Sequence, residues 1–179
     1  MIALLLALNP VAAAVAVPQD TEQMRVRPST EAEAVAEFEA TCVSGLYDFE
    51  TLKRRAAASR RGYAFASDGG ARSWRNWTSS YGSIHFLEGA ADTSSLVPKC
   101  NMVSFTRQPV NRRALDAALR AMAKRQSARG YSELRRNDGL AWSWYNARNQ
   151  PMMVEVSLDR HTPQQLVLVL QPIAATGMR

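Results

Sequence analysis

The chain has 179 residues, 46% of them hydrophobic and 21% charged, which excludes a protein disordered as a whole and sets one domain as the expectation. Its 22 Lys and Arg against 16 Asp and Glu leave a net charge of +6, a balance that suits an anionic partner. Two Cys and two His exclude a multi-disulfide scaffold and are too few for an ordinary transition-metal centre, so no cofactor is expected.

Residues 1–16 read as a signal peptide. An apolar run from Ile2 to Leu8 is followed by small residues, and Ala14-Val15-Ala16 fits an A-x-A cleavage pattern. No Lys or Arg precedes the run, and no Cys stands at the cleavage point to suggest a lipid anchor. The run is well short of the ~20 residues of a membrane span, and Asn9-Pro10 interrupts it. Export changes the reading of Cys42 and Cys100. In an oxidising compartment a lone pair of cysteines predicts one disulfide. Residues 17–30 are polar and aperiodic, a flexible leader, and 31–172 read as one α+β domain with a tail at 173–179.

Thr30-Glu31-Ala32-Glu33 matches a capping box for a first helix running to Val43. Val35, Phe38 and Cys42 share one stripe, which points Cys42 inward. Asp48 caps a second helix to Arg61, with Phe49, Leu52 and Ala56 inside and Arg54, Arg55 and Arg61 outside. Gly62 is a natural C′ stop. Strands follow at 63–66, 74–79, 83–88 and 100–106, with a turn at Asp68-Gly69-Gly70 and a surface loop over 89–96. Asn111 caps a third helix whose buried stripe is Leu115, Ala118, Leu119 and Met122. Arg113, Arg120 and Lys124 take its opposite face, and Gly130 closes it. A short strand at 133–136 and the hairpin turn Asn137-Asp138-Gly139 lead into Leu140, Trp142 and Trp144 on one strand face. Met152, Val154, Val156 and Leu158 form the next face. Residues 166–170 are apolar on both faces, which reads as a central strand or one covered on both sides.

The two halves repeat an order. Arg61-Gly62-Tyr63 and Arg129-Gly130-Tyr131 each precede a short strand, an Asp-Gly turn, a tryptophan pair and two more strands. The expectation is an antiparallel sheet with about three helices on one face, built as two αββββ units.

The segment Phe38-Glu39-Ala40-Thr41-Cys42-Val43, a helix ending at Gly62 and a later Cys100 opening a strand together resemble a group of small exported bacterial proteins of unknown function. The resemblance covers residues 31–106. It implies a periplasmic α+β domain with a helix-to-strand disulfide and carries over no catalytic residue.

No G-x-S-x-G elbow, H-E-x-x-H, P-loop or G-x-G-x-x-G is present. Two functions therefore stand side by side. One is a periplasmic or secreted binding or accessory protein that takes an anionic envelope polymer, or another protein, on a basic helical face of Arg54, Arg55, Arg61, Arg113, Arg120 and Lys124. That face becomes one patch if the second and third helices lie side by side. The other is a small hydrolase built around His85 or His161, which requires one histidine within hydrogen-bond reach of a Ser or Asp. The tryptophans read as core, or as an exposed aromatic strip flanked by Arg72, Arg75, Arg135 and Arg136.

Overall fold

The computed structural model describes residues 26–45, 49–69, 74–87, 98–136 and 139–173. The signal peptide, most of the leader, the Asp48 cap, Arg72, the 89–96 loop, Asn137-Asp138 and residues 174–179 lie outside the described residues. The element order is α1 (Glu31–Phe38) with a π-helical turn (Glu39–Val43), α2 (Phe49–Ala58), β1 (Ala64–Gly69), β2 (Trp74–Ser79), β3 (Gly82–Leu87), β4 (Lys99–Phe105), α3 (Arg112–Gln126), β5 (Tyr131–Arg136), β6 (Gly139–Tyr145), β7 (Pro151–Leu158) and β8 (Gln165–Pro172). The fold is α+β, as expected.

The eight strands form one sheet in the order β1-β2-β3-β4-β8-β7-β6-β5, with every pairing antiparallel. Two four-stranded meanders thus meet where β4 pairs with β8. This explains the apolar run at 166–170, because β8 is a central strand.

Alternation along the strands builds the core. Trp77, Ile84, Met102, Leu168 and Val156 stand opposite one another across five strands. Phe86, Cys100, Leu170, Val154 and Trp142 make a second row. These side chains are buried in one cluster with Val35, Phe38, Cys42, Leu52, Ala56, Leu115, Leu119 and Met122 of the helices. Each large apolar side chain contributes roughly 1.5–3 kcal/mol by leaving water. Trp77, Trp142 and Trp144 are therefore core residues, which removes them from any exposed aromatic strip. Arg75 lies on the core side too, its guanidinium 4.4 Å from the centre of the Phe49 ring.

Local chemistry sets the helix ends. The Thr30 capping box forms as expected, with Thr30 N–H donating to Glu33 and the Glu33 N–H donating back to Thr30. Asn111 Oδ1 accepts from the backbone of Arg113 and Ala114 and caps α3. Several boundaries differ from expectation. α3 stops at Gln126 because Ser127 turns extended, and its hydroxyl donates to the Gly130 carbonyl. α2 stops at Ala58, and the next residues turn with Gly62 at φ +63°. Asp68 and Gly69 are not turn residues; they pair with Arg75 and Trp74 at the end of β1. The end of the expected leader is docked rather than loose, with Ser29 buried and its N–H donating to the Phe105 carbonyl at 2.7 Å.

Candidate functional site

Cys42 and Cys100 form the disulfide, with Cα atoms 5.5 Å apart. The π-helical turn places Cys42 over β4. Its widened backbone is tied by the Thr41 hydroxyl donating to the Glu37 carbonyl and the Ser44 hydroxyl to the Glu39 carbonyl.

The expected basic face does not assemble as one patch. Helix α1 stands between α2 and α3. In the π-helical turn that follows it, Glu39 accepts from Arg125 and Gln126 of α3, while on the other side Ala40 O accepts from Arg55. Arg61 is not an outer cation. Its side chain is 10% exposed, lies 3.6 Å from the Glu37 carboxylate and stacks over Tyr81. Arg120 is held by both Asp116 and Glu133, and these bonds raise its pKa. Arg54, Arg55, Arg113 and Lys124 remain exposed. Arg54 donates to the Thr51 hydroxyl and the Glu50 carbonyl, and Arg55 to the Ala40 carbonyl, so neither charge is neutralised by these contacts.

The acidic residues of α1 are engaged inside the fold. Glu31 accepts from the Asn111 N–H, Glu33 closes the cap, and Glu37 accepts from the Ser59 hydroxyl and meets Arg61. Burial works against the ionisation of Glu39, but the Arg125 and Gln126 hydrogen bonds outweigh it and hold the carboxyl below its ordinary range.

His85 lies on the sheet face opposite the core cluster, half-buried. Its Nε2 is 2.8 Å from Ser83 Oγ, and its Nδ1 is 2.8 Å from Asn76 Oδ1. The hairpin register puts Asn76 opposite His85 on β2, and the next pairing puts Asn101 opposite it on β4. Ser83 is two residues before His85 and so projects from the same face. Burial pushes the His85 pKa down, which keeps the imidazole neutral near pH 7. His161 is exposed in a turn that Asp159 organises by accepting from its backbone N–H, and among the described residues no Ser or Asp side chain bonds its ring.

Among the described residues, no group of three His, Cys, Asp or Glu side chains is placed to hold a metal. No described helix is long and apolar enough to cross a membrane. A depression of ≈ 50 Å³ beside Ser132, Ser143 and Tyr145 has room for little more than water. Comparison with protein-family models, curated proteins and solved structures finds no match.

The Ser83–His85 spacing was visible in the sequence as an S-x-H alternation within a strand. Asn76 was not, because its place beside His85 depends on the hairpin register.

Proposed function

We propose that the protein is an exported binding protein of the bacterial envelope that takes an anionic polymer on the exposed cations of its helical layer. The observation that carries this reading is the engagement of Glu31, Glu33, Glu37 and Glu39 within the fold. Arg54, Arg55, Arg113 and Lys124 keep their charge in water on either side of α1. Such cations bind a polyanion by releasing its counterions, so affinity falls steeply with salt. Arg61 and Arg120 take no part, being committed to internal carboxylates.

The periplasm or extracellular space is the compartment, a reading the Cys42–Cys100 bridge supports. The finer architecture is three helices on one sheet face and two αββββ units. The common helix–strand cluster favours the first. The second is supported by the two meanders, by Gly62 and Gly130 with positive φ before each, and by Trp77 and Trp142 on the second strand of each.

The test is titration of the disulfide-bonded protein with dextran sulfate and with neutral dextran. Binding to the sulfated polymer at low salt, lost as salt rises, is the expected result. Equal binding to both polymers, or none to either at low ionic strength, contradicts the proposal.

A further inference from the structure

We propose that Ser83, with His85 as its base, is the nucleophile of an acyl-transfer site on the sheet face opposite the core, acting on esters with an apolar acyl group. This does not depend on the helical cations.

A serine nucleophile needs a base in hydrogen-bond contact and a third group that orients the base. Both contacts are 2.8 Å here. The Asn76 carbonyl oxygen accepts from Nδ1–H, which leaves Nε2 bare to accept from the Ser83 hydroxyl. Asn76 is thus a positioning residue, and Ser83 and His85 are the catalytic ones. The lowered pKa of His85, caused by burial, favours the free-base form this needs.

The scaffold is rigid at this point. The β2–β3 hairpin closes with Ser79 paired to Gly82, and Gly82 at φ +139° packs against the Val103 carbonyl, where a Cβ would come within 1.9 Å. The three side chains therefore sit on a locked register, not on a loop.

The surroundings define the substrate. Val103 pairs with Ser83 on one side and with Val167 on the other, and Asn101 pairs with Val169. Val103, Val167 and Val169 are half-buried on the face that carries Ser83, an apolar strip that an acyl chain would cover. Backbone N–H groups of interior strands are taken up by the ladder, so the oxyanion requires a side-chain donor. Asn101 stands across from His85, and among the described residues no donor reaches its buried Oδ1. The Asn101 carboxamide, across the ladder from His85 and on the same face, is the side-chain donor that the register supplies.

The reaction balances without a cofactor. Ser83 Oγ adds to the ester carbonyl carbon as its proton passes to His85 Nε2. The carbon–alkoxy bond then breaks, and the alcohol leaves with that proton. Water adds to the acyl-serine, giving its proton to Nε2. The acyl–Oγ bond breaks, the proton returns to Ser83, and the carboxylic acid departs.

The experiment uses the full disulfide-bonded chain. It is treated with a fluorophosphonate probe, mapped by mass spectrometry, and assayed on p-nitrophenyl hexanoate and acetate. The expected result is an adduct on Ser83 and faster cleavage of the hexanoate. Ser83→Ala should lose about 10²-fold or more, with an unchanged thermal midpoint and unchanged dextran sulfate binding. Asn76→Ala should lose activity that Asn76→Asp, which retains an acceptor oxygen, recovers. No adduct on Ser83, or ester cleavage that Ser83→Ala leaves intact, overturns the proposal. Because dextran sulfate binding is measured on the same variants, failure of this site and failure of the polyanion reading are separate outcomes.

Discussion

His85 Nδ1 lies 2.8 Å from Asn76 Oδ1 across a hairpin whose register Gly82 fixes. At φ +139° a side chain at residue 82 would be strained, and its Cβ would approach the Val103 carbonyl to 1.9 Å. Gly82→Ala must therefore move β3 against β4. The expected loss is at least about 2 kcal/mol, read by urea denaturation. A loss within 0.5 kcal/mol, the level of an ordinary surface change, would show that the strands shift freely.

The disulfide joins a helix to a central strand over a sequence separation of 58 residues. The chain-entropy account gives about 4 kcal/mol for such a loop, and measured losses are commonly about 2–5. Cys42→Ala/Cys100→Ala should unfold at clearly lower urea and temperature than the oxidised protein. An unchanged midpoint would mean that the buried cluster alone fixes the π-helical turn on β4.

Glu39 gives the stability a pH dependence of known sign. Its carboxyl is held below the ordinary range in the folded protein: burial opposes ionisation, but Arg125 and Gln126 more than offset it. The contribution is present above about pH 4.3, the unfolded value, and is lost as pH falls through the folded pKa. Arg125 is 56% exposed, so the pair is screened and contributes about 1 kcal/mol at neutral pH. Glu39→Gln should lose that amount at pH 7 and flatten the acid limb. An acid limb identical to that of the parent would rule the contact out as its source.

Asn111 receives the Arg113 and Ala114 N–H groups at 3.1 and 3.2 Å. Asn111→Ala should cost about 1 kcal/mol of stability, measured by thermal unfolding, while Asn111→Ser should restore most of it. Equal midpoints for all three proteins would show that the cap is idle.

The sequence made the apolar pattern legible because period and burial coincide. The α3 stripe, the inward Cys42, the Thr30 box and the central place of 166–170 all rest on local spacing. What failed to show depended on pairing between distant segments. Arg61 looked like an outer cation because nothing near it in sequence announces Glu37 or Tyr81. Arg120 is visibly four residues from Asp116, but Glu133 reaches it only once β5 packs beside α3. The position of α1 between α2 and α3, which divides the basic face, has no sequence signature. Asp68-Gly69 carries turn chemistry yet lies in a strand, since the sheet register overrides local preference.

The most direct test of the account is the salt slope of polyanion binding. Log affinity for dextran sulfate is measured against log salt for the parent chain and for alanine variants at Arg54, Arg55, Arg113 and Lys124. The account predicts a steep slope that falls by roughly 0.7–0.9 for each contacting cation removed. A slope that stays the same when all four are replaced would contradict it.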